Sequence, residues 1–357
     1  MSLFDAVADR PLTVESSDRT RHERDTSSDF VRVSTVYALH GDGVTGQGED
    51  VTYDAEDHDA LADAPPLVGD GDDQLAPGEY SFAEFSDALD DVDLFPTKDP
   101  ERKTGHAYRR WAVESAGLDL ALKQAETNLG AALGQEYGPL RFVVSTRLGE
   151  PPSTDRVHDL LDAYPDTEFK LDPISEWDDE IVDDLASTGA VRILDLKGQY
   201  EGTDVDQPPD PELYQRVFDG FGEAVVEDPG FTDGTALLLE NNVPRISWDY
   251  PITGVDSIEK LPFPPQWLNI KPSRFGTVES LFDTLEYAAE NNITLYGGGQ
   301  FELSVGRDHI QALASLFYAD GPNDVAPGVY NDPEIPEDAP TSPLQPSAEP
   351  DGLGFSF

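Results

Sequence analysis

The sequence contains 357 residues, of which 38% are hydrophobic and 10% aromatic, enough for a sizeable buried core. Its formal net charge of −49, from 23 basic and 72 acidic residues, leaves no basic face for nucleic acid and is typical of a protein adapted to a salt-rich cytoplasm. The absence of Cys excludes disulfides and thiolate chemistry, and no segment resembles a signal peptide or a membrane span, so we expect a cytoplasmic protein without membrane attachment.

The first third of the sequence has the pattern of an α+β unit. Residues 30–49 alternate apolar and polar side chains and break at GDG, which predicts a two-stranded hairpin. A loop rich in Pro and Asp is expected to follow through about Leu94. Residues 107–133 carry apolar side chains at helical spacing. We therefore expect an N-terminal α+β domain over residues 1–135.

From residue 136 to 330 the sequence alternates between short apolar strands and amphipathic helices, which predicts parallel strands joined by right-handed crossovers. The predicted strands cover residues 141–145, 168–171, 190–196, 223–227, 244–249, 267–271 and 293–298. An eighth strand within 324–330 would close a barrel. The tail, residues 331–357, is rich in Pro and acids and is expected to run as extended coil back over the N-terminal domain.

Five consecutive predicted strands, the second to the sixth, end in a polar residue at the position where a barrel enzyme has its active site. These residues are Lys170, Asp195, Glu227, Asp249 and Lys271. Acids are abundant here, whereas Lys occurs only 7 times, so the two lysines carry more weight than the carboxylates. Three carboxylates from neighbouring strands favour a hard divalent cation, Mg²⁺ first and Mn²⁺ as the alternative. Asp228, directly after Glu227, is predicted to be a loop acid.

The sequence between Phe30 and Tyr330 resembles the enolase superfamily, in the mandelate racemase/muconate lactonizing enzyme family. GDGVTGQGED resembles the hairpin of its capping domain, and LNIKPSRFG resembles the motif of its sixth strand, which carries Lys271. ILDLKG, VVEDP and ISWDYP fall where the family supplies its three metal ligands, here Asp195, Glu227 and Asp249. The resemblance implies a modified TIM barrel, (β/α)₇β, with an α+β capping domain completed by the C-terminal tail.

The resemblance also implies a chemistry: removal of the proton next to a substrate carboxylate, giving an enediolate stabilised by Mg²⁺. Lys170 and Lys271 would act on opposite faces of the substrate, as in a racemase, epimerase or cycloisomerase. A lyase of the o-succinylbenzoate synthase type is one alternative. A barrel that binds metal and carboxylate but has lost its base is another.

The second alternative arises from a departure in the second strand, where the family usually has Lys-x-Lys and this sequence reads EFKLD. Lys170 matches either the second lysine, which is the base, or the first. In the latter case Asp172 occupies the base position.

Four further residues are predicted to contact the substrate, which we expect to be a small-molecule carboxylate. Lys197 follows the third strand, and Glu302 follows the Gly-rich end of the seventh. Arg24 and His22, in RTRHERD, are predicted to lie on a capping-domain loop that covers the substrate. Neither nucleic acid nor a membrane is expected as a partner, and assembly into a homo-oligomer is compatible with the sequence.

Overall fold

The computed structural model describes residues 2–28, 30–203 and 205–355; residues 1, 356 and 357 at the predicted domain ends lie outside this part. Within it, a parallel seven-stranded sheet follows an N-terminal region with a three-stranded and a two-stranded antiparallel sheet. Among the described residues, no helix has the length and hydropathy needed to cross a membrane.

The N-terminal region is α+β, as predicted. Its strands are β1 Pro11–Val14, β2 Ser16–Asp25, β3 Val31–Gly41, β4 Val44–Asp50 and β5 Gly78–Ser81. Its helices are α1 Asp5–Ala8, α2 Ala55–Asp59, α3 Phe82–Ala88, α4 Thr104–Gln124 and α5 Leu129–Leu133. The predicted hairpin is confirmed as β3 and β4, which turn at Asp42 and Gly43 with positive φ at both residues. Helix α4 packs closely against β4, since a Cβ at Gly46 or Gly48 would lie 2.3 or 2.0 Å from a backbone oxygen of the helix.

Two expectations for this region were wrong. The RTRHERD segment is not a loop: it belongs to β2, which pairs with β3 along its whole length. β2 is the edge strand of its sheet and is exposed along most of its length, so it lacks the alternation by which a half-buried strand is recognised. The loop expected through Leu94 contains α2, β5 and α3. The start of α3 had a sequence signal in SFAE, where Ser81 and Glu84 form a capping box.

The second region is the predicted barrel. Its strands are β6 Val144–Thr146, β7 Phe169–Leu171, β8 Val191–Asp195, β9 Val225–Glu227, β10 Ile246–Trp248, β11 Trp267–Ile270 and β12 Thr294–Gly297. Its helices are α6 Asp155–Ala163, α7 Asp179–Thr188, α8 Pro211–Gly220, α9 Ala236–Glu240, α10 Val255–Ile258, α11 Val278–Glu290 and α12 Val305–Phe317. The strands lie side by side in chain order. Parallel bridges from Asn323 to Phe142 and from Asp324 to Gly298 join the two edges at the start of the eighth strand predicted within 324–330. No longer strand forms over these described residues, and Gly328–Asn331 is a 3₁₀ helix.

The tail contacts both regions. Leu344 pairs with Leu140 at the start of the barrel, and Leu353 donates its N–H to Asp119 in α4 at 2.9 Å. Leu344, Leu353 and Phe355 are buried. The tail is therefore attached by apolar side chains as well as by backbone hydrogen bonds.

A buried polar cluster joins the N-terminal sheet to the loop after β12. The Glu49 carboxylate accepts from Ser34 Oγ at 2.6 Å and from the N–H groups of Leu303, Ser304 and Gly306 at 2.6, 2.9 and 2.9 Å. These donors lie at the start of α12, where free N–H groups attract a carboxylate. Arg32, also buried, donates to Gln300 O at 3.2 Å. We call these contacts the Glu49 latch.

Substitution Arg109→Met is expected to lower the free energy of unfolding by about 3–5 kcal/mol, because it leaves a buried carboxylate without its cation. Arg109 in α4 donates to Asp50 at 2.7 Å, and both side chains are almost fully buried. Its guanidinium also lies 3.7 Å from the centre of the Phe95 ring. Urea unfolding at constant salt measures the change, since urea does not alter charge screening.

The control for this prediction is Arg21→Met. Arg21 pairs with Glu23 and Asp59 but is 37% exposed, so its loss should cost less than about 1 kcal/mol. Equal losses in the two variants would contradict the prediction for Arg109.

Candidate active site

Three buried carboxylates lie at the carboxyl ends of three adjacent strands. Asp195 ends β8, Glu227 ends β9, and Asp249 directly follows β10. Each is 0% exposed. One carboxylate oxygen from each residue lies within 4.8 Å of the other two. The structure therefore brings together the three residues predicted as metal ligands.

Glu227, the central carboxylate, is bound on both oxygens. Oε1 accepts from Lys170 Nζ, and Oε2 accepts from Tyr296 Oη and, at 3.0 Å, from Asn269 Nδ2. Burial raises the pKa of Glu227 well above its usual range; Lys170 opposes the rise, and Asp195 and Asp249 add to it. The carboxylate is thus held in a fixed orientation next to two others of like charge.

Asp249 is surrounded by cations. Arg274 donates Nη1 to Oδ1 at 2.9 Å and Nη2 to Oδ2 at 3.3 Å, and Lys271 Nζ lies 3.0 Å from Oδ2. Tyr200 Oη also donates to Oδ2, at 3.0 Å. Burial alone would raise the pKa of Asp249, but Arg274 and the nearby lysines outweigh it and hold the pKa below the usual range.

Asp195 contacts two lysines. Lys197 Nζ donates to Oδ2, and Lys170 Nζ lies 3.3 Å from the same oxygen. Burial would raise the pKa of Asp195, but Lys197 and Lys170 more than offset it, and the carboxylate stays ionised. Lys197 has a φ of +53°, a backbone conformation that a residue other than Gly rarely adopts.

The two lysines predicted as catalytic lie on either side of the carboxylates. Lys170 is in β7 and contacts Glu227 and Asp195, whereas Lys271 follows β11 and contacts Asp249. Gly298 packs directly against the sixth-strand end, since a Cβ there would lie 2.7 Å from Asn269 Oδ1 and 2.8 Å from Lys271 Cε. The Gly-rich sequence after β12 therefore leaves room for the Lys271 side chain.

Asp228 is not the loop acid that the sequence suggested. It is fully buried and accepts from the N–H groups of Asp249 and Tyr250 at 2.8 and 2.7 Å. Burial, with Asp249 and Asp195 nearby, raises its pKa to about 7. Its φ is positive, at 48°, and its two hydrogen bonds hold the backbone after β10 in place.

The remaining predicted residues lie at different places. Glu302 is buried in the loop after β12 and accepts from Gln300 N at 2.7 Å. Arg24, in β2, pairs with Asp332. His22 lies in the same strand, opposite Ser34. Within the described part of the chain, these three residues do not contact Asp195, Glu227 or Asp249. Their substrate-binding role stays a prediction.

A cleft of about 630 Å³ opens at the ends of β6, β7 and β8, and it is lined by Lys197, which binds Asp195. Its lining includes Arg147, Asp172, Trp177 and Lys197 from the barrel and the 27–28 segment from the N-terminal region. It is large enough for a small-molecule substrate.

The donor set fits a hard divalent cation. Asp195, Glu227 and Asp249 offer only carboxylate oxygens, which Mg²⁺ prefers, and three buried carboxylates in contact are a cluster that a dication would stabilise. These residues could hold a metal ion as predicted.

Several residues that hold the carboxylates were missed from the sequence. Arg274 and Asn269 lie within the LNIKPSRFG motif, but nothing in their spacing showed which carboxylate they would bind. Tyr200 and Tyr296, which donate to Asp249 and Glu227, gave no signal because each reaches the site from another strand end or loop.

Comparisons with known proteins agree with this architecture. Residues 5–132 and 136–332 match the families described as Domain of unknown function (DUF8230) N-terminal domain and C-terminal domain. The o-succinylbenzoate synthase of Listeria innocua is 26% identical over 222 residues. This match covers 59% of the chain and 57% of that relative, so the chain spans little more than half of the relative's length.

Solved structures share the fold over most of their length. The Mg-bound dipeptide epimerase of Methylococcus capsulatus superposes with a TM-score of 0.68 at 17% identity, covering 97% of this chain and 100% of that one. An enolase superfamily member from Listeria innocua superposes with a TM-score of 0.66 at 18% identity, covering 97% of this chain and 95% of that one. Muconate lactonizing enzyme from Pseudomonas putida superposes with a TM-score of 0.61 at 21% identity, covering 85% of this chain and 84% of that one. The chain belongs to the DUF8230 family and has the fold of the enolase superfamily, a capping domain followed by a modified TIM barrel.

Proposed function

We propose that the protein is a Mg²⁺-dependent enzyme that removes the proton next to the carboxylate of a small-molecule acid, and that it is an isomerase, either a racemase or epimerase or a cycloisomerase. The observation that carries the proposal is the cluster of Asp195, Glu227 and Asp249, with oxygens within 4.8 Å and a lysine on each side. The fold of the structural neighbours supports the same reaction class.

The cation would be held by the three carboxylates and would supply positive charge to the substrate carboxylate as its oxygens gain charge during proton loss. The chain's own residues do the rest. Arg274, Tyr200 and Asn269 fix the orientation of Asp249 and Glu227, so little reorganisation is needed when the substrate arrives. Lys271, at the end of β11, is placed to hold or return a proton on its side of the site.

Deuterium exchange tests the proposal. L-Arg-L-Lys, N-acetyl-L-phenylalanine and D-gluconate, incubated with protein, Mg²⁺ and concentrated KCl in D₂O, represent dipeptides, N-acylamino acids and sugar acids. We expect the α-proton of at least one probe to be replaced, as seen by ¹H NMR and mass spectrometry. EDTA should stop the exchange and Mg²⁺ should restore it. If no probe of the three classes exchanges, the proposal is wrong.

A lyase of the o-succinylbenzoate synthase type is the second candidate, favoured by the match to that enzyme from Listeria innocua. Analysis of the same incubations separates the two reactions. An isomerase returns deuterium-labelled substrate or its stereoisomer, whereas a lyase with irreversible loss of its leaving group yields an unsaturated product and leaves the remaining substrate unlabelled.

A third candidate, a barrel that binds metal and carboxylates without catalysis, is motivated by EFKLD. Calorimetric Mg²⁺ binding together with the absence of exchange and of new products would favour it over both enzyme reactions.

A further inference from the structure

Lys170 and Asp172, the two residues at the end of β7 that could act as the base, occupy different environments. The Lys170 side chain is 2% exposed, and its ammonium lies against three carboxylates: Glu227 Oε1 in direct contact, Asp195 Oδ2 at 3.3 Å and Asp324 Oδ2 at 3.8 Å. Glu227 Oε1 accepts a hydrogen bond from the ammonium, and the other two oxygens lie at ion-pair distances. Lys170, like Lys271 and the three carboxylates, does not line the cleft.

Asp172 lies two residues further on, just past the end of β7, where the period of two of an extended strand favours the same side as Lys170. Unlike Lys170, it lines the cleft, together with Lys197 and Arg147. The chain thus continues from a lysine enclosed among carboxylates to a carboxylate that borders the space for substrate.

The two oxygens of Asp172 are held differently. Oδ2 accepts from Arg147 Nε at 3.1 Å, whereas Oδ1 lies 3.7 Å from Lys197 Nζ, beyond hydrogen-bond distance. Among the described residues, none donates a hydrogen bond to Asp172 Oδ1. Arg147 therefore fixes the carboxylate while one oxygen keeps lone pairs free, which is what a general base needs.

We propose that Asp172, rather than Lys170, is the base that exchanges the substrate proton on the β7 side of the site. The proposal rests on the proposed function. An aspartate can remove a proton next to a carbonyl group when the charge that develops is stabilised elsewhere in the site. Lys170 is then a positioning residue, whose charge holds Glu227 and Asp195 together.

The proton balance of an epimerisation is complete with this assignment. The α-C–H bond breaks, its proton forms an O–H bond with Asp172, and its electron pair moves into the substrate carboxylate. The Lys271 ammonium then gives a proton to the opposite face of the same carbon and becomes an amine. Solvent takes the proton from Asp172 and returns one to Lys271, and the reverse direction uses the same two groups in exchanged roles.

The test follows deuterium exchange separately for the two epimers L-Arg-L-Lys and L-Arg-D-Lys, with the two enantiomers of N-acetylphenylalanine as a second pair. Asp172 and Lys271 each serve one face of the substrate. Asp172→Asn should therefore slow the deuterium exchange of one epimer by about 10²- to 10⁴-fold, and that of the other epimer by a factor at least about 10 times smaller. Asp172→Glu, which keeps the carboxylate, should recover part of the lost rate.

Two matched variants separate this role from a structural one. Arg147→Met removes the partner of Asp172 but keeps the carboxylate, so it should slow exchange of the same epimer as Asp172→Asn, but by a smaller factor. Lys170→Met should affect both epimers alike, because it acts through Glu227 and Asp195. Circular dichroism checks that each variant is folded.

The outcomes distinguish the two proposals. If the wild-type protein exchanges neither pair nor any other probe, the proposed function is wrong. If the wild-type protein exchanges both epimers and Asp172→Asn slows them equally or not at all, only the assignment of Asp172 is wrong. An epimer-selective loss in Lys170→Met would also overturn it.

Discussion

Substitution Glu227→Gln is expected to weaken Mg²⁺ binding by more than about 100-fold, since loss of a partner outside the ligand set alone typically costs about 10–100-fold. Glu227 lies between Asp195 and Asp249, and all three are fully buried with oxygens within 4.8 Å. The amide keeps the shape of the side chain but removes its charge. Isothermal titration calorimetry in concentrated KCl measures the affinity directly.

Thermal or urea unfolding gives a second measurement of the same effect. A ligand that binds only the folded state at 100 times its Kd stabilises it by about 2.7 kcal/mol. At a Mg²⁺ concentration that produces this gain in the wild-type protein, the Glu227→Gln variant should show almost none of it.

Glu168→Gln is the matched control for this prediction. Glu168 precedes β7, at the opposite end of the strand from the site, and pairs with Arg141 and Arg192. The Mg²⁺ affinity of the Glu168→Gln variant should equal that of the wild-type protein. Equal affinities in the Glu227 and Glu168 variants would show that the carboxylate cluster is not the metal site.

Substitution Lys271→Met is expected to slow deuterium exchange of one epimer by about 10²- to 10⁴-fold, because it removes the proton-carrying group at the end of β11. The affected epimer should be the one that Asp172→Asn spares. Lys271 Nζ lies 3.0 Å from Asp249, so its loss removes a competing cation and Mg²⁺ should bind no more weakly than in the wild-type protein. Exchange rates by ¹H NMR and calorimetric affinities separate the two effects.

Lys260→Met is the control for Lys271, since Lys260 is exposed and lies before β11 at the other end of the strand. It should exchange both epimers at wild-type rates. A Lys271 variant that exchanges both epimers normally would remove Lys271 from the chemistry.

The sequence was sufficient for the strands of the barrel and the positions of Asp195, Glu227 and Asp249. These strands are buried on both faces and read as short apolar runs, and each carboxylate is at the end of one run, so a repeat of known length predicts that they meet. The same argument placed Lys170 and Lys271 on either side.

Contacts between side chains from distant segments could not be predicted in this way. Periodicity tells which face a residue occupies but not what lies opposite, and so the enclosure of Lys170 by Asp324, the pairing of Arg274 with Asp249 and the hydrogen bond from Tyr296 to Glu227 came only from the structure. β2 was missed for a different reason: an edge strand with polar residues on both faces has no hydrophobic pattern. Asp228 was misread because 72 of the 357 residues are acids, so an acid just past a strand end does not by itself indicate burial.

The Glu49 latch has a consequence for how substrate enters. Swinging the N-terminal sheet away from the barrel would separate the buried Glu49 carboxylate from three N–H donors and the buried Arg32 from Gln300, and each buried group left unpaired costs about 1–3 kcal/mol. The 27–28 segment, which lines the cleft, is joined to the C-terminal part by a hydrogen bond from Ser27 N to Asn331 O at 2.7 Å. We therefore expect the N-terminal sheet and the barrel to stay together when substrate enters the cleft.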